Sequence, residues 1–130
     1  MKVGFTGSRE GMSQHQKEQF VLKMFDLKPT EFHHGDCEGA DAEAHDIVRE
    51  FFPTIKITIH PPIVSYRRAY KKGDETKPPE EYIVRDKNIV DSTQCLIGAP
   101  LTDDEIYRSG TWTTIRYGKK TNKPVYILKR

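Results

Sequence analysis

Three glycine-bearing turns carry the chemistry that stands out in this chain. Ser109-Gly110-Thr111 leads into a helical stretch. The first turn of a helix leaves N–H groups unpaired and carries partial positive charge, so a small hydroxylated turn there forms a phosphate cradle. The same tripeptide also reads as simple capping, with Ser109 as the N-cap. Gly7-Ser8-Arg9 sets a closely approachable backbone beside a hydroxyl and a guanidinium. Gly35-Asp36-Cys37-Glu38-Gly39-Ala40-Asp41 opens another helix, and its acids suit ribose hydroxyls or capping. Asp36 fits both roles, whereas Asp41 fits the first helical turn.

Arg85 and Asn88 lie one helical turn apart and can face the same way. Arg85 can grip a phosphate or carboxylate through two parallel bonds, or simply face solvent. Tyr66 to Lys72 mixes aromatic and basic residues, which suits single-stranded nucleic acid or a solvated loop. His34 reads as a strand-end histidine. No His/Cys cluster has metal-ligand spacing and no Ser/His/Asp nucleophile arrangement is visible, so neither a metal nor a cofactor is expected.

The elements that must position these residues alternate in type. Lys2 to Thr6 reads as a strand. Ser13 with Gln16 is a capping box, followed by an apolar face of Phe20, Val21, Met24 and Phe25, and Pro29 stops that helix near Leu27. Glu31 to His34 is a strand. Ala40, Ala44, Ile47, Val48, Phe51 and Phe52 form the apolar face of a second helix. Ile55, Ile57 and Ile59 mark a third strand. A long irregular stretch runs from His60 to about Pro79, a length expected of functional or mobile loops. Pro78-Pro79-Glu80-Glu81 starts a third helix with a stripe of Tyr82, Ile83, Ile89 and Val90. Gln94 to Ala99 is an apolar strand suited to burial on both faces. Trp112 to Lys120 and Pro124 to Leu128 complete the chain as helix and strand.

This order builds a three-layer α/β/α fold around a five-stranded parallel sheet, with strand order 3-2-1-4-5. Its switch point lies between the first and fourth strands, and ligands bind at the carboxyl end of such a point. The topology predicts that Gly7-Ser8-Arg9, Gly35-Asp36, Pro100 and Ser109-Gly110-Thr111 meet on one rim. The chain of 130 residues fits one domain, and its net charge of +2 excludes a polybasic nucleic-acid arm. No stretch reads as a membrane span or signal peptide, and Cys37 and Cys95 lie far apart, so a reduced, cytoplasmic protein is expected.

Taken together, the motifs resemble the SLOG superfamily of Rossmann-like nucleotide-binding domains over nearly the whole chain. The carriers are Gly7-Ser8-Arg9, His34-Gly35-Asp36 with Gly39-Ala40-Asp41 and Ala44-His45, Arg85 to Val90, and Ser109-Gly110-Thr111 with Gly118 and Lys123 to Tyr126. The second motif is particularly similar to DNA-processing protein A, and the last to the phosphate loop of Lonely-Guy-type phosphoribohydrolases. Those hydrolases follow Gly-Thr with a glutamate that serves glycosidic cleavage with an arginine. Here Thr113 and Thr114 stand where the acids would be, leaving Asp36 or an acid from Asp103 to Glu105 to substitute.

The resemblance therefore implies binding of a nucleotide or nucleotide-derived ligand, a signalling nucleotide among them. Ser109, Gly110 and Thr111 would hold phosphate, with Arg85 and Arg9 as cations. Gly7, Ser8, Gly35, Asp36, Gly39 and Asn88 would line the rest. Asp36 and Arg85 are the catalytic candidates if the ligand is cleaved as a nucleoside 5′-monophosphate. Single-stranded DNA binding is the other alternative, and a homo-oligomer is implied.

Overall fold

The computed structural model describes all residues from Met1 to Arg130. Ten elements follow in order: β1 (Lys2–Gly7), α1 (Gln14–Leu27), β2 (Glu31–His34), α2 (Ala40–Phe51), β3 (Lys56–Ile59), β4 (Glu75–Thr76), α3 (Tyr82–Asp91), β5 (Cys95–Ala99), α4 (Gly110–Lys120) and β6 (Val125–Ile127). The sheet is parallel throughout, with the order β4-β3-β2-β1-β5-β6. Removing β4 leaves the order expected from sequence. The sixth strand is the difference: Glu75 and Thr76 pair with Thr58 and Ile59 at the sheet edge. Two residues among lysines and acids show no period that would mark a strand.

Local chemistry explains the boundaries. Ser13 accepts the Gln16 N–H while the Gln16 side chain accepts the Ser13 N–H, fixing the start of α1. Its end comes at Lys28, which turns left-handed (φ 49°) before Pro29. Phe5, Phe20 and Phe32 are fully buried and pack with ring centroids 5.4–5.8 Å apart between the sheet and α1. Each such burial stabilises the fold by about 1.5–3 kcal/mol. Ile89, Val90 and Leu96 form a smaller cluster under α3.

Three apolar positions depart from the expected faces. Phe25, Phe51 and Ile83 are exposed. Phe25 instead stacks edge-on with Phe52 at the surface, centroid to centroid 4.8 Å. Arg85 takes the inward position on α3 that Ile83 was expected to share. Cys37 and Cys95 are buried and unbridged. No helix is long and apolar enough to cross a membrane.

Candidate functional site

The turn after β1 and the start of α2 are built as one unit. The Ser8 N–H donates to the Ala99 carbonyl at 3.0 Å, and the Ala40 N–H donates to the Ser8 carbonyl at 2.9 Å. A Cβ on Gly7 would overlap the Cβ of Ala40. Gly39 has φ 87°, and a side chain there would strike the Arg9 carbonyl. Gly39 is thus a junction between two turns and does not line the cavity that follows. Both glycines are required by close approach, which brings the α2 start against the end of β1.

Across the sheet, α4 begins at the same edge. Ser109 Oγ accepts the Trp112 N–H at 3.2 Å, and the Thr113 N–H donates to the Ser109 carbonyl at 2.9 Å. The N–H groups of Gly110 and Thr111 have no upstream helical carbonyl to reach. Space is open around Gly110, where a Cβ would meet nothing within 4 Å.

Between the two helix starts lies a cavity of about 540 Å³, within the ~300–1,000 Å³ range of small-molecule sites. Gly7, Ser8, Arg9, Gly35, Arg85, Ser109, Gly110 and Thr111 all border it. Pro100 does not; its neighbours Leu101 and Thr102 do. Three expected residues stand elsewhere. Gly39 is the junction described, and Asn88 borders a second pocket of about 160 Å³ with His60, Lys77 and Arg85, which thus lines both. Asp36 is fully buried: its Oδ2 accepts Arg68 Nε at 2.9 Å and its Oδ1 accepts the Lys71 N–H at 2.9 Å. It ties down the segment between β3 and α3.

Arg85 borders the cavity, yet its guanidinium is engaged inside the protein. It donates to the carbonyls of Gly35 (2.5 Å) and His60 (3.3 Å) and to Asp86 Oδ1 (2.6 Å). The cations with room to meet a ligand are Arg9, which stacks on Tyr82 at 5.0 Å, and exposed Arg108. Sequence reasoning did not single out Arg108, Asp86, Tyr82 or Trp112, which also border the cavity. Asp86 follows Arg85 directly, and that adjacency was the available signal.

Burial pushes the Asp86 carboxyl upward against the pull of Arg85. It pushes Asp41 up to about 7, with Arg85 opposing. Of the substitute acids considered, Asp103 accepts the Arg130 N–H at 2.9 Å and Glu105 pairs with Arg116 at 2.6 Å. None of Asp103 to Glu105 borders the cavity. No three His, Cys, Asp or Glu side chains are grouped to hold a metal ion.

The basic loop is largely self-neutralised. Arg67 pairs with Glu38 (3.4 Å), Arg68 with Asp36 (2.9 Å) and Lys71 with Asp46 (3.0 Å), although Tyr66 and Tyr70 are exposed. Two histidine pairs are buried along β2, one on each face of the sheet. His33 Nδ1 lies 2.8 Å from His60 Nε2, and His34 Nε2 lies 2.9 Å from His45 Nδ1. The strand-end histidine is therefore one member of a bonded pair.

No family model matches this chain, and no curated protein matches it in sequence. Among solved structures, the X-ray structure of TM1055, a target of the Northeast Structural Genomics Consortium, is similar. It shares 18% identity and superposes with a TM-score of 0.63, covering 95% of this chain and 71% of that one. This likeness shows the fold, a Rossmann-like α/β arrangement with a parallel sheet.

Proposed function

We propose that the protein binds a nucleotide or nucleotide-derived ligand in the cavity between the starts of α2 and α4, as a small SLOG-type domain. The observation that carries this reading is convergence. Residues from Gly7 to Thr111, more than a hundred positions apart at the extremes, border one cavity at the carboxyl edge of β1 and β5. The phosphate sits at Gly110 and Thr111. The helix dipole contributes about 0.3–1 kcal/mol there. Each charge-assisted hydrogen bond from Arg9 or Arg108 adds roughly 1.5–3 kcal/mol. The small-ligand reading is preferred to nucleic-acid binding because three of the loop's four cations, Arg67, Arg68 and Lys71, are already paired with carboxylates.

Isothermal titration calorimetry against nucleoside mono- and diphosphates, cyclic nucleotides and ADP-ribose tests the proposal. Saturable binding of at least one supports it; no heat at millimolar ligand removes it.

A second reading, cleavage of the N-glycosidic bond of a nucleoside 5′-monophosphate, is favoured by the carboxyls of Asp41 and Asp86 in the same cavity. Chromatography for free base after incubation with each monophosphate decides it.

A further inference from the structure

Three buried side-chain polar atoms lack a hydrogen-bond partner in this protein. Two of them, Asp41 Oδ1 and Trp112 Nε1, belong to residues that border the cavity. Folded proteins pair nearly all such atoms, so two orphans at one cavity call for a partner that is not protein. Asp41 is only 6% exposed, and its other oxygen is engaged, accepting the Cys37 N–H at 3.2 Å. Trp112 is 5% exposed, and its indole N–H can only donate.

The charge on Asp41 follows from what faces it. Arg85 and Asp86 approach from α3, Asp36 and Cys37 from the turn after β2, and Arg9 from the turn after β1. His45, one turn along α2, has its Nδ1 engaged by His34. The guanidinium of Arg85 is shared among Gly35, Cys37, His60 and Asp86 and makes no hydrogen bond to Asp41. Burial without a bonded cation favours the uncharged acid, and an anionic ligand favours it further. The proton then belongs on Oδ1, because Oδ2 is already an acceptor.

We propose that Asp41 is a specificity-determining residue: as a neutral carboxylic acid it donates a hydrogen bond from Oδ1 to a ring nitrogen or carbonyl oxygen of a phosphorylated, base-bearing ligand. The inference rests on the nucleotide reading of this cavity and adds which end of the ligand is read, and by what. Asp41 and Trp112 each offer one donor on the cavity's wall, so the ligand that fills it carries acceptors. The phosphate stays with Gly110 and Thr111.

The test measures binding of AMP, GMP, CMP, UMP and ribose 5-phosphate to wild type, Asp41→Asn and Asp41→Ala. Calorimetry is run between about pH 7 and pH 8.5, where the phosphate is already dianionic, and thermal unfolding checks each variant. The wild-type affinity for the tightest nucleotide is expected to fall about tenfold across this range as the acid ionises. The amide of Asp41→Asn still donates, so that variant binds with no such fall, whereas Asp41→Ala loses about tenfold at pH 7. Ribose 5-phosphate, lacking a base, is expected to respond to neither change. A wild-type nucleotide affinity flat with pH, or equal in Asp41→Ala, overturns the role of Asp41 and leaves the cavity reading standing. Failure of every probe to bind wild type overturns the cavity reading and this inference together.

Discussion

Arg85 donates to the carbonyl of Gly35, fifty residues earlier, across a gap of 2.5 Å. The side chain that sequence reasoning offered as a ligand clamp is thus a crosslink, joining α3 to the turn after β2 and, through His60, to the end of β3. Its removal strands two carbonyls and the partly buried Asp86. Arg85→Ala is therefore expected to lower stability by about 3 kcal/mol or more, and Arg85→Lys, which keeps the charge without the fork, by less. Urea unfolding of both variants measures this. A loss of ligand affinity at unchanged stability would show instead that Arg85 serves the ligand directly.

Gly7 and Ala40 are a matched pair. Gly7→Ala introduces a methyl that overlaps the Ala40 methyl and should destabilise by about 1–3 kcal/mol. Adding Ala40→Gly removes the overlap, so the double variant should recover part of that loss despite glycine in the first turn of α2. A double-variant cycle in thermal unfolding reads the coupling, and additive losses contradict the close contact.

Asp36 anchors the segment between β3 and α3 through Arg68 and the Lys71 N–H. Its φ of 58° suits asparagine as well, so Asp36→Asn keeps the backbone while removing the ion pair. A loss of about 1–3 kcal/mol is expected, with faster hydrogen exchange confined to residues 66–72. Unchanged exchange there means the anchor lies elsewhere.

The histidine pairs set the acid limit. Burial, and then His33, lowers His60 to about 4, and burial holds His34 well below its ordinary value. Both are neutral when folded and charge more readily when unfolded, so their contribution is intact above about pH 6.5 and is lost as pH falls toward 4. Asp41 has the opposite sign. Its raised value makes its contribution full below about pH 4 and lost as pH rises through 7. The two effects oppose each other in wild type, so the histidine loss is read in Asp41→Asn, which should lose about 2 kcal/mol between pH 7 and 5 and should be more stable than wild type at pH 8. Urea midpoints across pH measure both, and a midpoint of Asp41→Asn that rises on acidification refutes the histidine account.

Much of this architecture was legible because it is local. The Ser13 capping box, the apolar run of Cys95 to Ala99 and the alternating isoleucines of β3 each announce their element within a few residues. The rim followed from topology, since the carboxyl ends of β1 and β5 must lie together once they pair. What stayed hidden depends on partners distant in sequence. Nothing near Asp36 reveals that Arg68 will meet it, and nothing near His33 points to His60. Helical spacing showed that Arg85 and Asn88 share a side of α3, and both border the smaller pocket, but not that Arg85 alone reaches through to the larger cavity.

In the proposed complex a phosphate docks on the first turn of α4. Amide chemical shifts of Gly110 and Thr111, followed by NMR during titration with AMP, report on that contact. The predicted result is that these two amides, with Gly7 and Ser8, move furthest and saturate together. Shifts confined to residues 66–72, or no movement of Gly110 and Thr111 at millimolar AMP, would contradict it.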